Sequence, residues 1–391
     1  MKLKVAVVGI GGFGAGYVHS LLAESESHNV SFVGVIDPFA EQSTAYESVL
    51  SAKVPIYENL ATFYAEDSAD LVCISSPINF HKEQSVIAMR NGSNVLCEKP
   101  IAATVAEAEE MLSVQNESGK FCAIGFQHSY FEVTQVLKKR LLSGEFGKIK
   151  SARALVEWPR TLSYYQRAAW AGRKTLNGQP VYDSPLNNAT AHYLHNLFYL
   201  LGGQALNAAK PTSVLAETYR ANDIENFDTA YLRVMTDVEV PIHYYCAHPV
   251  RLTNGPNAVI EAEKATITTI PSSCNTAYVI NFKNGQTEKL EYESDPFSKI
   301  WLCCDSIRSN SGPLCDVEAA LSHAKTVEAV QASHEITDFP TELVQKCEMD
   351  GSYLTYVPIL PEVLSTCFAS CALPSELGVS WATPGKLIQL A

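Results

Sequence analysis

Over residues 1–125, short apolar runs rich in β-branched residues alternate with longer stretches whose apolar positions recur at helical spacing. That alternation predicts a parallel sheet with crossover helices. The strand candidates are Leu3 to Val8, Val30 to Ile36, Leu71 to Ser75, Val95 to Cys97 and Phe121 to Ile124. Several have no polar alternation, as strands covered on both faces should not. Helices are expected near Phe13 to Ser25, Ala40 to Leu50, Lys82 to Asn91 and Val105 to Ser118, the last with Thr104 as N-cap. Right-handed crossovers turn this pattern into a doubly wound sheet of Rossmann type.

After about Phe126 the period changes. A helix ending near Leu142 leads through Ser143-Gly144-Glu145 to a strand from Lys148 to Trp158, and a helix is expected from Ala191 to Leu201. Closely spaced β-rich runs follow: Ser213 to Tyr219, Thr229 to Met235, Ile242 to Ala247, Ala258 to Ala262 and Tyr278 to Phe282. Asn254-Gly255-Pro256 and Asn284-Gly285 read as turns, so this sheet should be largely antiparallel and open. A striped helix from Val317 to Gln331 completes an α+β domain. The expected division is therefore 1–125 for the α/β, dinucleotide-binding domain and 126–391 for a substrate-binding and oligomerisation domain.

Composition narrows the partners. The 391 residues carry 29 Lys plus Arg against 42 Asp plus Glu, a net charge of −13, which disfavours nucleic acid and anionic lipid. No apolar run reaches membrane-spanning length, and Met1-Lys2 runs directly into a strand pattern without a signal peptide, so a cytoplasmic protein is expected. The 11 cysteines are scattered without CxxC pairs and mostly lie in apolar surroundings, which reads as reduced core thiols.

Gly9-Ile10-Gly11-Gly12-Phe13-Gly14 is G-x-G-x-x-G between a strand and a helix, where backbone N–H groups and the helix dipole can receive a pyrophosphate. The competing reading is a tight turn that packs helix on strand. Asp37 ends the next strand and can accept from a ribose hydroxyl; no Arg follows it closely to pair with a 2′-phosphate, so NAD is expected over NADP. Ser75, Ser76, Pro77, Asn79 and His81 lie at the carboxyl edge of the sheet as further cofactor contacts, with His81 alternatively an exposed residue at a helix start. Glu98-Lys99-Pro100 ends a strand at the same edge and sets an ammonium beside the expected nicotinamide.

Together with the N-terminal fingerprint, the stretch Asn91-Gly92-Ser93-Asn94-Val95-Leu96-Cys97-Glu98-Lys99-Pro100 resembles the glucose-fructose oxidoreductase and inositol dehydrogenase family, Gfo/Idh/MocA. The resemblance implies that Lys99 is a catalytic residue near the reacting carbon, that Glu98 and Lys99 face the cofactor, and that Lys99-Pro100 is cis. It implies a second signature in which an Asp precedes a His by four residues, with a Gly ten residues beyond. Here His192 and Gly202 keep that spacing, Asn188 stands in the Asp position, and His195 stands where a later Asp is usual. His192 is then the acid/base and Asn188 its orienting partner, the alternative being a satisfied core histidine. A neutral amide does not raise the imidazole pKa as a carboxylate would, and Asp183 is the candidate for the missing charge. His192 and His195 also have the spacing of a metal pair, but without a neighbouring Asp, Glu or Cys no metal is expected.

Between the signatures, Trp158, Arg160, Tyr164, Tyr165, Arg167, Trp170 and Arg173 concentrate aromatic faces and planar donors that suit a polyhydroxylated or carboxylated ligand; the alternative is a core-capping or interface loop. Asn187 and Tyr193 flank the acid/base as further pocket candidates, and the role of His128-Ser129-Tyr130, where relatives often carry Arg-Phe, stays open. The resemblance implies hydride transfer between nicotinamide and a sugar, cyclitol or related polyol derivative, in a homodimer or homotetramer formed through the open face of the second sheet. It also admits two alternatives. One is an epimerase, dehydratase or glycosidase that works through a keto intermediate without net redox; the other is a non-catalytic sensor of NAD or sugar.

Overall fold

A computed structural model describes residues 2–270 and 277–390, so Cys274 lies outside the described residues. The chain forms two compact units, Met1–Tyr130 with Asp295–Leu321, and Phe131–Ser294 with Ser322–Ala391. A single cut after residue 125 assigns 295–321 to the second domain, whereas by contact these residues group with the first unit.

The first unit is built on a parallel six-stranded sheet of β1 (Leu3–Val8), β2 (Val30–Ile36), β3 (Ile56–Tyr57), β4 (Leu71–Ile74), β5 (Asn94–Cys97) and β6 (Cys122–Ile124), in the order β3-β2-β1-β4-β5-β6. Every residue of β4 and β5 is buried, which accounts for the apolar runs Leu71–Ile74 and Val95–Cys97. The helices are α1 (Gly14–Glu24), α2 (Tyr46–Ser51), α3 (Leu60–Glu66), α4 (His81–Arg90) and α5 (Val105–Ser118). Thr104 caps α5 by accepting from Glu107 N at 3.2 Å, and Gly119 ends it at φ 65°. The single helix expected from Ala40 to Leu50 is instead a 3₁₀ turn, Ala40–Gln42, followed by α2. Ser43 breaks it with extended backbone and donates its hydroxyl to Ile10 O. The strand order reverses between β1 and β4, the switch point where open α/β sheets hold ligands. The helix Ser298–Ser309, which sequence reading did not anticipate, also belongs to this unit.

The second unit contains α6 (Glu132–Leu142), β7 (Ile149–Glu157), α7 (Leu162–Gln166), β8 (Thr175–Leu176), β9 (Gln179–Pro180) and α8 (Ala191–Leu201). It continues with β10 (Pro211–Arg220), β11 (Thr229–Thr236), β12 (Ile242–Ala247), β13 (Asn254–Ala262), β14 (Ala265–Ile270), β15 (Ala277–Phe282) and β16 (Thr287–Glu291). Its ten-stranded sheet runs β16-β15-β14-β13-β7-β12-β11-β10, with Thr337–Asp338 and Ile388–Gln389 both pairing with β10. It is mostly antiparallel, with β7 parallel to β12 and β10 parallel to Thr337–Asp338. Asn254-Gly255-Pro256 is not a turn between strands; it is the irregular start of β13, where the register against β7 shifts. Asn284-Gly285 does connect β15 to β16.

Alternate residues of β12 face opposite sides, as strand geometry requires. The Tyr244 hydroxyl donates to Thr190 O at the start of α8, and the Tyr245 hydroxyl to Ala372 O. On the Tyr245 side, Leu155, Tyr219 and Tyr231 pack with Leu360, Leu364 and Trp381. The face expected to lie open for oligomerisation is thus covered over β7 and β10 to β12 by this chain's own C-terminal residues.

Candidate active site

The glycine loop of the first unit has closed and open positions. Gly9, at φ 76°, would bring a Cβ to 2.9 Å from Ser76 N, and a Cβ on Gly14 would stand 2.0 Å from Gly9 O. Close packing of the β1 and β4 loops requires both to be glycine. At Gly11 and Gly12 a Cβ meets nothing within 4 Å. The amides of Gly11, Gly12 and Phe13 donate to no group among the described residues, and α1 starts without a side-chain cap or an acidic residue in its first turn. Free N–H donors beneath open space at a helix N-terminus fit the pyrophosphate of a dinucleotide. Asp37 Oδ2 accepts from Ile10 N at 2.9 Å and Oδ1 from Phe39 N at 2.8 Å, which fixes the carboxylate beside the loop and leaves lone pairs for a ribose hydroxyl.

Ser75 and Ser76 are half-buried, Pro77 and Asn79 exposed, and Ser76 Oγ donates to Gln84 Oε1 at 2.5 Å. His81 is not the exposed helix-start residue allowed for above. It is buried, with Nδ1 2.8 Å from Pro100 O and Nε2 2.9 Å from Ser76 O, and burial lowers its pKa. It joins the β4 loop to the turn that carries Lys99.

That turn has a buried foundation. Lys99-Pro100 is cis, as the resemblance implied, and Lys99 N donates to Glu98 Oε2 at 3.2 Å. Glu98 Oε1 accepts from Tyr17 OH at 2.6 Å and from Lys299 Nζ, whose side chain is fully buried. Burial pushes the Glu98 carboxyl up, but Lys299 and Tyr17 outweigh it and hold it below its ordinary value. Burial, reinforced by Glu98, raises the Tyr17 phenol well above its own. Lys299 Nζ also lies 4.8 Å from the Phe13 ring centroid, and Phe297 stacks on Phe13 at 5.1 Å. Sequence reading missed Tyr17, Phe297 and Lys299. Tyr17 sits one turn beyond Phe13 on α1 and was open to inspection, whereas nothing local to Ser298-Lys299-Ile300 signals a partner 201 residues away.

In the second unit, β7 delivers Trp158 and α8 delivers His192 in its first turn. The Trp158 indole meets Tyr193 edge-on at 5.5 Å and donates to Gly255 O at 3.3 Å; burial pushes the Tyr193 phenol up to about 12. Asn188 Nδ2 donates to Asp183 Oδ1 at 2.9 Å, and Asp183 Oδ2 accepts from Gly172 N at 2.6 Å. The two residues weighed as neighbours of His192 are therefore bonded to one another. Asn187 is buried and turned inward, with Nδ2 3.4 Å from Val181 O. Tyr164 and Tyr165 meet edge-on at 5.3 Å, and Arg167 lies over Tyr164 at 3.6 Å and Trp170 at 4.6 Å. The Tyr165 hydroxyl is 3.1 Å from Nδ1 of His248, a buried imidazole absent from the sequence-based candidates. His195 is buried and stacked with Tyr199 at 6.1 Å, and no group of three or more His, Cys, Asp and Glu is placed to hold a metal among the described residues. In the first unit, Tyr130 donates to Ile124 O and Cys315 O, and burial drives the His128 pKa down to about 4.

Residues 3–126 match the family model described as oxidoreductase family, NAD-binding Rossmann fold. The 2,7-anhydro-N-acetylneuraminate hydratase of Mediterraneibacter gnavus is 31% identical over 144 residues, 37% of each chain. The D-glucoside 3-dehydrogenase of Escherichia coli is 27% identical over 54% of this chain and 57% of its own, so the matched part spans well under two thirds of either relative. The WlbA dehydrogenase of Bordetella pertussis, solved with NADH and UDP-GlcNAcA, shares the fold at a TM-score of 0.66 and 20% identity, over 85% of this chain and 97% of that one. Among the described residues no helix is long and apolar enough to cross a membrane. Over its N-terminal residues 3–126 the chain is similar to the NAD-binding Rossmann fold of the Gfo/Idh/MocA oxidoreductases.

Proposed function

We propose that the protein is an NAD-dependent oxidoreductase of CH–OH groups in a sugar, cyclitol or related polyol derivative. The observation that carries this reading is the pairing, in one unit, of uncommitted amides at Gly11 to Phe13 with a turn that presents Lys99 from the buried Glu98–Lys299 pair. Gly9, Gly11, Gly12, Phe13, Gly14 and Asp37 hold the dinucleotide, and the Asp37 carboxylate favours NAD by repelling a 2′-phosphate. When bound, NAD supplies the hydride acceptor. Lys99 hydrogen-bonds the reacting oxygen, and His192 takes the hydroxyl proton. Asn188, tethered to Asp183, orients the His192 end of α8. The aromatic loop from Trp158 to Trp170 lines the polyol side. A sugar-directed role is supported by the D-glucoside and UDP-GlcNAcA named for two of the relatives.

The test is turnover of a sugar and cyclitol panel, with reduced nicotinamide and carbohydrate product both measured. Lys99→Ala and His192→Ala are expected to lose at least a hundredfold in kcat while binding NAD within twofold of the parent. NADP should bind more weakly than NAD by calorimetry. Near-normal turnover in His192→Ala, or tighter NADP binding, would overturn the corresponding assignment.

A further inference from the structure

The arginines of the second unit single out one position. Arg140, Arg153, Arg160, Arg220 and Arg233 are half-buried. Four of them face carboxylates: Arg140 pairs with Glu145 and Glu288, Arg153 with Glu261, Arg220 with Asp338 and Arg233 with Glu376. Arg160 faces none among the described residues. Its Nη1 donates to its own neighbour, Pro159 O, at 3.0 Å, and its buried Nε has no acceptor. A guanidinium half removed from water without a counter-ion is costly, and the cost is relieved when an anion arrives.

The surroundings fit that role. The Arg160 guanidinium lies 4.9 Å from the Tyr164 ring and 5.6 Å from the Trp158 ring, between aromatic walls that hold it in place. Trp158 in turn packs on Tyr193, the neighbour of His192, so the charge belongs to the same packed group as the proposed proton acceptor. Asp183, an acidic residue of the same region, lies 3.8 Å from Arg167 and is already committed to Gly172 N and Asn188. Burial first, and then Arg160 and Arg167, keep the adjacent His248 neutral, so the guanidinium is the charge an anion would meet there. From Trp158 to Tyr182 the chain has three arginines and Lys174 but no acidic residue, in a protein of net charge −13. Local charge opposite in sign to the whole is a recognition feature rather than a solubility one.

We propose that Arg160 receives a carboxylate of the substrate, so that the polyol oxidised by this protein is a sugar acid. The planar fork of a single guanidinium can meet a carboxylate side-on through two donors and balances its one negative charge, whereas a phosphate dianion would leave a second charge without a partner. This rests on the oxidoreductase reading above for what happens after binding, but binding can be measured alone.

Protein loaded with NADH is titrated by calorimetry with the matched pairs D-glucose and D-glucuronate, and D-galactose and D-galacturonate, and with D-glucose 6-phosphate. The acid member of a pair should bind at least tenfold tighter than its neutral partner. Arg160→Gln should abolish that preference while NADH affinity, which reports a folded first unit, is retained. Arg160→Lys should restore only part of it, because an ammonium keeps the charge and loses the fork. Equal or absent binding of acid and neutral members throughout, tighter binding of the phosphate, or a preference that survives in Arg160→Gln would each overturn the assignment. Turnover of the same sugars with NAD separates the two claims: acid-selective binding without hydride transfer sinks the reaction and leaves Arg160 as a carboxylate receptor.

Discussion

Glu98 and Lys299 show what a buried charge demands. Lys299 is fully buried and Glu98 nearly so, and neither has water to fall back on if its partner is removed. Breaking such a pair from one side costs about 3–5 kcal/mol, because the survivor stays buried and uncompensated. Lys299→Met should lose somewhat less than Glu98→Gln, since Tyr17 OH and Lys99 N still donate to the surviving carboxylate. The double variant should be less destabilised than the two single losses added together. Denaturant unfolding of the four proteins measures this directly, and strictly additive losses would show that the pair is not coupled. The sequence made Glu98-Lys99-Pro100 visible because motif and strand end are contiguous. Lys299 stayed hidden because charge pairing across 201 residues leaves no local trace.

At the scale of the element, the glycine loop separates binding from folding. A methyl at Gly14 would collide with Gly9 O at 2.0 Å, backbone against backbone, so Gly14→Ala must displace α1 from β1. A methyl at Gly11 meets no protein atom within 4 Å but intrudes where the pyrophosphate would approach the free amides. Gly11→Ala should therefore unfold at the parental denaturant midpoint with NAD affinity reduced at least tenfold, while Gly14→Ala should lose at least 2 kcal/mol of stability, roughly the scale of overpacking. If Gly11→Ala binds NAD normally, the cradle is elsewhere. Elements with a strong local signature were legible: β4 and β5 with their apolar runs, and α5 with its Thr104 cap, stand where the pattern put them. Those decided by tertiary contact were not. Ser43 breaks the expected second helix by reaching to Ile10 O, and Asn254-Gly255-Pro256, turn-like in composition, is drawn into β13 by pairing with β7.

Across the whole molecule, the buried imidazoles set how the fold responds to acid. Burial pushes His128 down to about 4; burial, then Arg233 and Arg153, do the same to His243; and burial with Arg160 and Arg167 carries His248 well below its ordinary value. Each binds a proton more readily when the chain is unfolded, where its pKa is about 6.5. Their contribution to stability is therefore complete above that value and declines as pH falls through it toward the folded value. For a group moving from about 6.5 to about 4, the loss at pH 5 is about 2 kcal/mol. The Glu98 carboxylate acts in the same direction, but its contribution falls away only near and below its unfolded value of about 4.3, so above about pH 5 the slope belongs to the imidazoles. Unfolding free energy should thus drop steeply between pH 7.5 and pH 5, before any native carboxylate pair is titrated. His128→Asn, which removes one of these protons from the unfolded chain, should flatten the slope. Urea titrations of parent and variant at pH 7.5, 6 and 5 decide it: equal slopes would mean that His128 binds its proton as readily within the fold as outside it.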